Sequence, residues 1–132
     1  MSPMASGGIP RPSAAALAVF RSLIPDVAGV TTRPMFGNQA AFLNGNMFAG
    51  LFGDALFVRI DEEGREMLLA VGGSDFAPMP GRPMRGYTCL APGWQAAPEV
   101  AGDWVRRALA HTATLPAKAR ESRTRTGTRA AT

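Results

Sequence analysis

The sequence predicts an α+β domain in which an antiparallel sheet of about five strands carries three helices, mainly on one face. Three observations lead there. Apolar residues recur at helical spacing in three separated segments. Between the first two of these, short β-prone runs are joined by the turn pairs Gly37-Asn38, Asn44-Gly45 and Gly53-Asp54. The resulting order of helix, strands, helix, strand, helix separates the helices from a run of hairpins, as one-sided packing on a sheet requires.

Residues 1–12, rich in Pro, Gly and Ser, are expected to form a flexible lead, followed by a domain over residues 13–115. Ser13 can cap the first helix by accepting an orphan N–H of its first turn. Leu17, Phe20 and Ile24 form its apolar stripe, and Pro25-Asp26 ends it. Thr31 and Thr32 open the β-prone run into Met35 and Phe36. "QAAFL", "NMFAGLF" and "ALFVRI" are the next strands, with Asn44-Gly45 the strongest hairpin signal because both residues tolerate positive φ. Asp61 caps the second helix, Glu62 and Glu63 favour its positive end, Leu68 and Val71 share its buried face, and Gly72-Gly73 terminates it. After the connector "APMPGRP", "MRGYTCL" reads as another strand, broken by Pro92-Gly93. Pro98 and Glu99 start the third helix, with Val100, Trp104, Ala108 and His111 along one side.

A chain of 132 residues, 46% apolar, suffices for one domain with a real core. Its most apolar early stretch, "SAAALAVFRSLI", is interrupted by Arg21 and lacks the basic n-region and cleavage site of a secretory signal. One cysteine, Cys89, excludes an intramolecular disulfide framework and fits a cytoplasmic location. The net charge of +4 resides in the tail. Residues 116–132 hold Lys118, Arg120, Arg123, Arg125 and Arg129 against Glu121, no large hydrophobe, and are expected to be disordered. Those five cations could touch phosphates in a salt-sensitive, sequence-independent way, although no aromatic lies among them for base stacking.

Catalytic constellations are scarce. His111 is the lone histidine and Cys89 lacks a CxxC partner, so no metal site and no cofactor is expected. A Cys89–His111 nucleophile pair would need the fold to bring the two together; a small buried strand residue is the alternative for Cys89. Asp61, Glu62, Glu63 and Glu66 sit where capping and the helix dipole explain them, and no phosphate-binding glycine motif occurs.

The hairpins are apolar on both sides, where a half-wet sheet should alternate. Read with a strict period of two, Met47, Ala49 and Leu51 oppose Phe48 and Phe52, while Leu56, Val58 and Ile60 oppose Phe57 and Arg59. Leaving such side chains wet would forfeit roughly 1.5–3 kcal/mol each. With the helices on one face, a second copy of the chain is the expected cover for Phe48, Phe52 and Phe57 on the other, as a homodimer. A strongly curved sheet or a small apolar ligand groove is the alternative.

Taken in order, Arg33-Pro34-Met35-Phe36-Gly37, the spaced Phe42, Gly45 and Phe48, the Leu56–Asp61 strand end, Gly81-Arg82-Pro83-Met84 with Tyr87, and Trp104 resemble the TfoX N-terminal domain of TfoX/Sxy regulators of competence and of short stand-alone proteins. The resemblance spans about residues 13–112. It implies an α+β fold similar to secretion chaperones, and action through protein contacts in transcriptional regulation without a known reaction. The full-length regulators carry a second domain where this chain has its basic tail, and the usual aromatic pair is here Gly86-Tyr87. Within these motifs Arg33, Arg82, Arg85 and Tyr87 are the candidate polar patch for an acidic partner or a small ligand. The competing reading makes Met35 and Phe36 core, Gly37 a turn residue, and Arg33 the partner of a carboxylate such as Asp61. A non-enzymatic protein-binding module is thus the leading expectation; a nucleic-acid binder acting through the tail, and a ligand-binding protein or enzyme using Arg33, Arg82 and Tyr87, are the alternatives.

Overall fold

A computed structural model describes residues 10–35, 37–78 and 81–117. Helix α1 (Ala14–Leu23) begins where the Ser13 hydroxyl accepts the Ala16 N–H at 3.1 Å, and it stops just before Pro25. Four antiparallel strands follow: β1 (Val30–Met35), β2 (Asn38–Leu43), β3 (Asn46–Phe52) and β4 (Ala55–Arg59). Asn44 and Gly45 both adopt positive φ, as a two-residue hairpin turn of this type demands. Helix α2 (Glu62–Ala70) is capped by the Asp61 carboxylate, which accepts the Gly64 N–H at 2.9 Å. Then come β5 (Ser74–Asp75), β6 (Tyr87–Cys89), a 3-10 turn at Trp94–Ala96, and α3 (Pro98–Ala113) with proline in its first turn. The sheet has six strands in the order β1-β2-β3-β4-β6-β5, all antiparallel. The fold is α+β, as predicted, with the two-residue β5 as a strand the sequence did not announce.

Helices α1 and α3 cover one sheet face. Ala16, Phe20, Leu43, Phe48, Leu51, Leu56, Val58, Ile60, Trp94, Val105 and Ala108 pack there as one core. The face of α3 turned to the core is Ala101, Gly102, Val105, Ala108 and Thr112, one residue round from the predicted stripe, and Val100 is exposed. The reason is steric: small residues let the helix axis approach the sheet, and bulky Trp104 lies at the flank. Val71, expected beside Leu68, caps the C-terminus of α2 and is 65% exposed, whereas Leu68 is buried.

The register of β2 against β3 corrects the period-two reading. Ala41 faces Ala49 but Phe42 faces Met47, so Phe48 is an extra, bulged residue. The bulge delivers Phe48 and Ala49 together to the helix-covered core and moves Met47 to the opposite face. Phe48, expected on the open face as a dimer contact, is instead fully buried beneath the helices.

The opposite face is closed by the chain itself. Ala40, Phe42, Met47, Phe57, Phe76 and Cys89 are buried there, edged by Met35, Phe52, Ala55, Met84 and Tyr87. The end of the Phe57 ring packs against Gly50, where an added Cβ would come within 2.5 Å of Cζ. Phe76 stacks on Phe57 at 4.1 Å between centroids and 10° between planes. Phe52 meets Phe76, and Tyr87 meets Phe57, edge-on. The connector holding Phe76 and Met84 is tied down by Met84 N–H to the Phe76 carbonyl (2.8 Å) and Ile60 N–H to the Gly86 carbonyl (3.1 Å). Phe57, expected to need a second copy, is therefore 4% exposed within one chain, and Phe52 is half-buried.

The rim at the β3–β4 turn is pinned by polar bonds. Buried Asn38 donates to the Pro10 carbonyl (3.0 Å) and accepts the Gly53 N–H (2.9 Å). Asp54 accepts the Ser13 N–H with its carboxylate (2.7 Å) and the Trp94 Nε1–H with its carbonyl (2.8 Å). At the far edge, Asn44 N–H donates to the Gly29 carbonyl, which with the β1–β2 register turns the backbone of Thr31, Arg33 and Met35 toward β2. Val30, Thr32 and Pro34 face outward; Val30 N–H is taken by the Val27 carbonyl and Pro34 has none. Among the described residues Thr32 N–H is the donor left on that edge, which makes β1 a poor template for an added strand.

Candidate functional site

The described arginines differ in their partners; Arg11 before α1 and Arg21 on α1 have no carboxylate in ion-pair distance among the described residues, and Arg107 lies 5.5 Å from the Trp104 centroid besides its ion pair. On α2 and α3 each has a carboxylate: Arg65 with Glu62 (2.9 Å) and Asp75 (2.7 Å), Arg107 with Asp61 (3.5 Å), and Arg106 with Asp103. On the connector-covered face of the sheet the pattern is different. Arg33 Cζ lies 4.0 Å from the centroid of the Phe42 ring, and Arg59 Cζ lies 5.5 Å from that of Tyr87. Among the described residues neither guanidinium has a carboxylate in ion-pair distance, and neither do exposed Arg82 and Arg85 on the connector.

Strand register places these groups. Arg33 pairs across from Ala40, which belongs to the same buried cluster as Phe57, and Arg59 pairs across from Tyr87. Arg33 and Arg59 thus project from one face, on either side of Met47. Tyr87 is half-buried, and its hydroxyl donates to the Met47 carbonyl at 3.1 Å, so the ring that carries Arg59 is anchored to β3. Burial raises the Tyr87 pKa above its ordinary value, against the opposing pull of Arg59, and keeps the phenol protonated.

Of the predicted patch, then, Arg33 and Tyr87 do share a face, four strand positions apart, while Arg82 and Arg85 stand on the connector with no ring or ion-pair contact among the described residues. The expected Arg33–Asp61 pair is not formed: Arg33 sits on Phe42, and Asp61 caps α2 and meets Arg107. Arg59 is the site residue that sequence reading passed over. Its signal was a lone cation between Val58 and Ile60 in a strand otherwise apolar on both sides. Phe36 of the motif and the tail cations Lys118, Arg120, Arg123, Arg125 and Arg129 lie outside the described residues.

Cys89 and His111 are not brought together. Cys89 belongs to the connector-covered cluster, and α3, which carries His111, packs against the other face, so the sheet separates them. Burial pushes the Cys89 thiol up to about 11, beyond useful thiolate formation near neutrality. Among the described residues no group of three His, Cys, Asp or Glu side chains converges to hold a metal ion, and no described helix is long and apolar enough to cross a membrane. What the face does provide is two guanidiniums in ring contact and, among the described residues, without a carboxylate partner, a surface suited to binding anionic groups.

A search among curated proteins finds no match. The family model for the TfoX N-terminal domain matches residues 22–112, a span running from the end of α1 through nearly all of α3 and containing both sheet faces. On that match the chain belongs to the TfoX N-terminal domain family.

Proposed function

We propose that this protein is a non-enzymatic regulatory interaction module whose connector-covered sheet face, bearing Arg33 and Arg59, receives a protein partner. One observation carries the reading: among the described residues Arg33 and Arg59 combine an aromatic-ring contact with the lack of a carboxylate partner, whereas the arginines of α2 and α3 are neutralised by carboxylates. A cation kept at a surface without an internal counter-charge costs little in water and remains free to meet an external one. Family membership supports a regulatory role, and the separation of Cys89 from His111 supports binding over reaction.

Position 31 tests this directly, because Thr31 is exposed and lies opposite Phe42 on the same face. A photo-crosslinking amino acid at Thr31, compared with one at exposed Glu99 on α3, should yield protein adducts in cells at the first position and none at the second. Equal labelling at both positions, or none at Thr31, rejects the reading. The tail alternative makes a different prediction: removal of residues 116–132 would abolish a salt-dependent association with nucleic acid and leave crosslinking at Thr31 unchanged.

A further inference from the structure

We infer that the seam between α2 and α3 is a docking surface for the chain's own basic C-terminal segment, residues 118–132. The seam lies on the helix side of the sheet, away from Arg33 and Arg59, and the inference goes beyond the partner-binding reading of that other face.

Two antiparallel helices build the seam. At one end Arg107 of α3 donates to Met67 Sδ and to the Asp61 carboxylate that caps α2, each at 3.5 Å. At the other, an added Cβ on Gly72, just beyond α2, would meet that of Ala91 at 3.2 Å, and Ala91 leads through the 3-10 turn into α3. Met67 and Val71 stand one turn apart at the C-terminal end of α2, as Val100 and Trp104 do on α3. Met67, Val71 and Val100 are exposed and Trp104 is half-buried, so among the described residues nothing covers this apolar strip.

Charge selects the occupant. Glu63, one turn before Met67, Glu66 on α2, and Glu99 beside Val100 are exposed and have no cation in ion-pair distance among the described residues. The nearby arginines, Arg65, Arg106 and Arg107, are already paired. Arg21 stands on α1, which meets α3 at Gly102, nearly half a turn round from Val100. A basic segment is therefore drawn to the seam and repelled by Arg33 and Arg59 on the other face. Residues 118–132 supply Lys118, Arg120, Arg123, Arg125 and Arg129 against Glu121, whereas the rest of the chain balances its charges. The segment holds no large hydrophobe, but arginine stems can lie along Met67, Val71 and Val100 while their guanidiniums reach the glutamates.

The reach is sufficient. The Asn46 Nδ2–H donates to the Pro116 carbonyl at 2.9 Å, which fixes the chain just past the C-terminus of α3. Arg107 lies in the last two turns of that helix, so the segment starts at the Asp61 end of the seam. From there to Glu99 is about 20 Å along the helix axis, against a span of up to about 50 Å for the extended segment. Tethering holds the segment at an effective concentration of order millimolar, where several weak, exposed ion pairs suffice for a salt-labile contact.

The test is paramagnetic broadening in the isotope-labelled full chain carrying a nitroxide on Thr126→Cys. Cys89 is buried from the reagent, and Cys89→Ala checks that the label is unique. At about 20 mM salt the amides of Met67 and Val100 and the indole N–H of Trp104 should lose about half of their intensity or more, and about 500 mM salt should restore them. The Thr31 amide on the other face should keep its intensity throughout. Glu63→Lys combined with Glu66→Lys and Glu99→Lys should abolish the broadening, whereas Asp26→Lys in the α1–β1 loop should leave it. Even broadening across the domain, broadening centred on Thr31 and Arg33, persistence in high salt, or survival in the combined glutamate variant would each overturn the inference. So would the same pattern in a mixture where only the chains without isotope carry the nitroxide, because a second copy's segment would then be the occupant. The partner-binding reading is tested separately: a segment of the same chain gives no protein adduct at Glu99, and Thr31 remains open to a partner.

Discussion

The two faces of the sheet bury comparable side chains by different means. The helix-covered face is closed by α1 and α3, with aliphatic residues and Phe48 interlocking beneath small helical residues. The other is closed by a connector between β5 and β6, whose Phe76 stacks on Phe57 and whose Met84 lies at the edge. A helix supplies its own backbone hydrogen bonds and can cover a wide area, whereas a short connector covers only part of a face. The part left over is where Arg33 and Arg59 lie on their rings. The contrast teaches that a sheet can be greasy on both sides, need no second molecule for its core, and still keep a chemically specific strip at the surface.

The largest expected effect breaks the helix-covered side. Phe48→Ala empties a fully buried bulge position and should destabilise the fold by about 3–5 kcal/mol in urea titrations. On the other side, Gly50→Ala drives a methyl into the Phe57 ring and should cost about 1–3 kcal/mol while shifting the Phe57 and Phe76 ring resonances. A loss at Gly50 as large as that at Phe48 would mean that the connector is as rigid as the helix layer. Asp61→Ala removes the cap of α2 and should cost about 1 kcal/mol, read as a fall in the thermal midpoint.

Acid sharpens the comparison further. The Arg65 hydrogen bond holds the Asp75 carboxyl below its ordinary value of 3.8, and the Gly64 N–H does the same for Asp61. A depressed folded-state pKa gives stability that is present above the ordinary value and is lost as pH falls through the folded one. Asp75→Asn should therefore lower stability modestly at pH 7, where this contribution is present, and flatten the acid limb below about pH 4, where the unsubstituted protein loses it. The smallest stability effect belongs to Arg33→Gln, about 0.5–1 kcal/mol for an exposed cation–π contact.

Much of this was legible in the residues. Turn pairs and caps place α1, α2 and the hairpins almost where they occur, because Ser13, Asp61 and Asn44-Gly45 act through local backbone bonds. The bulge at Phe48 was not legible, since an extra residue in β3 leaves the local composition unchanged and shows only against β2. The cover over Phe57 was hidden for the same reason: Phe76 sits in a Pro/Gly-rich connector, and its partner is nineteen positions upstream. At the candidate site Arg33 and Tyr87 could be named from their motifs, but Arg59 gains its role from cross-strand pairing with Tyr87, a tertiary fact.

Phe57 and Phe76 seal the second sheet face from within one chain. Isotope-filtered nuclear Overhauser spectroscopy on an equimolar mixture of labelled and unlabelled protein separates contacts within a chain from contacts between chains. Strong intrachain cross-peaks between the Phe57 and Phe76 rings, with no interchain cross-peaks to Phe42, Phe52 or Phe57, are predicted. Interchain cross-peaks to those rings, or the absence of the Phe57–Phe76 contact within one chain, would contradict it.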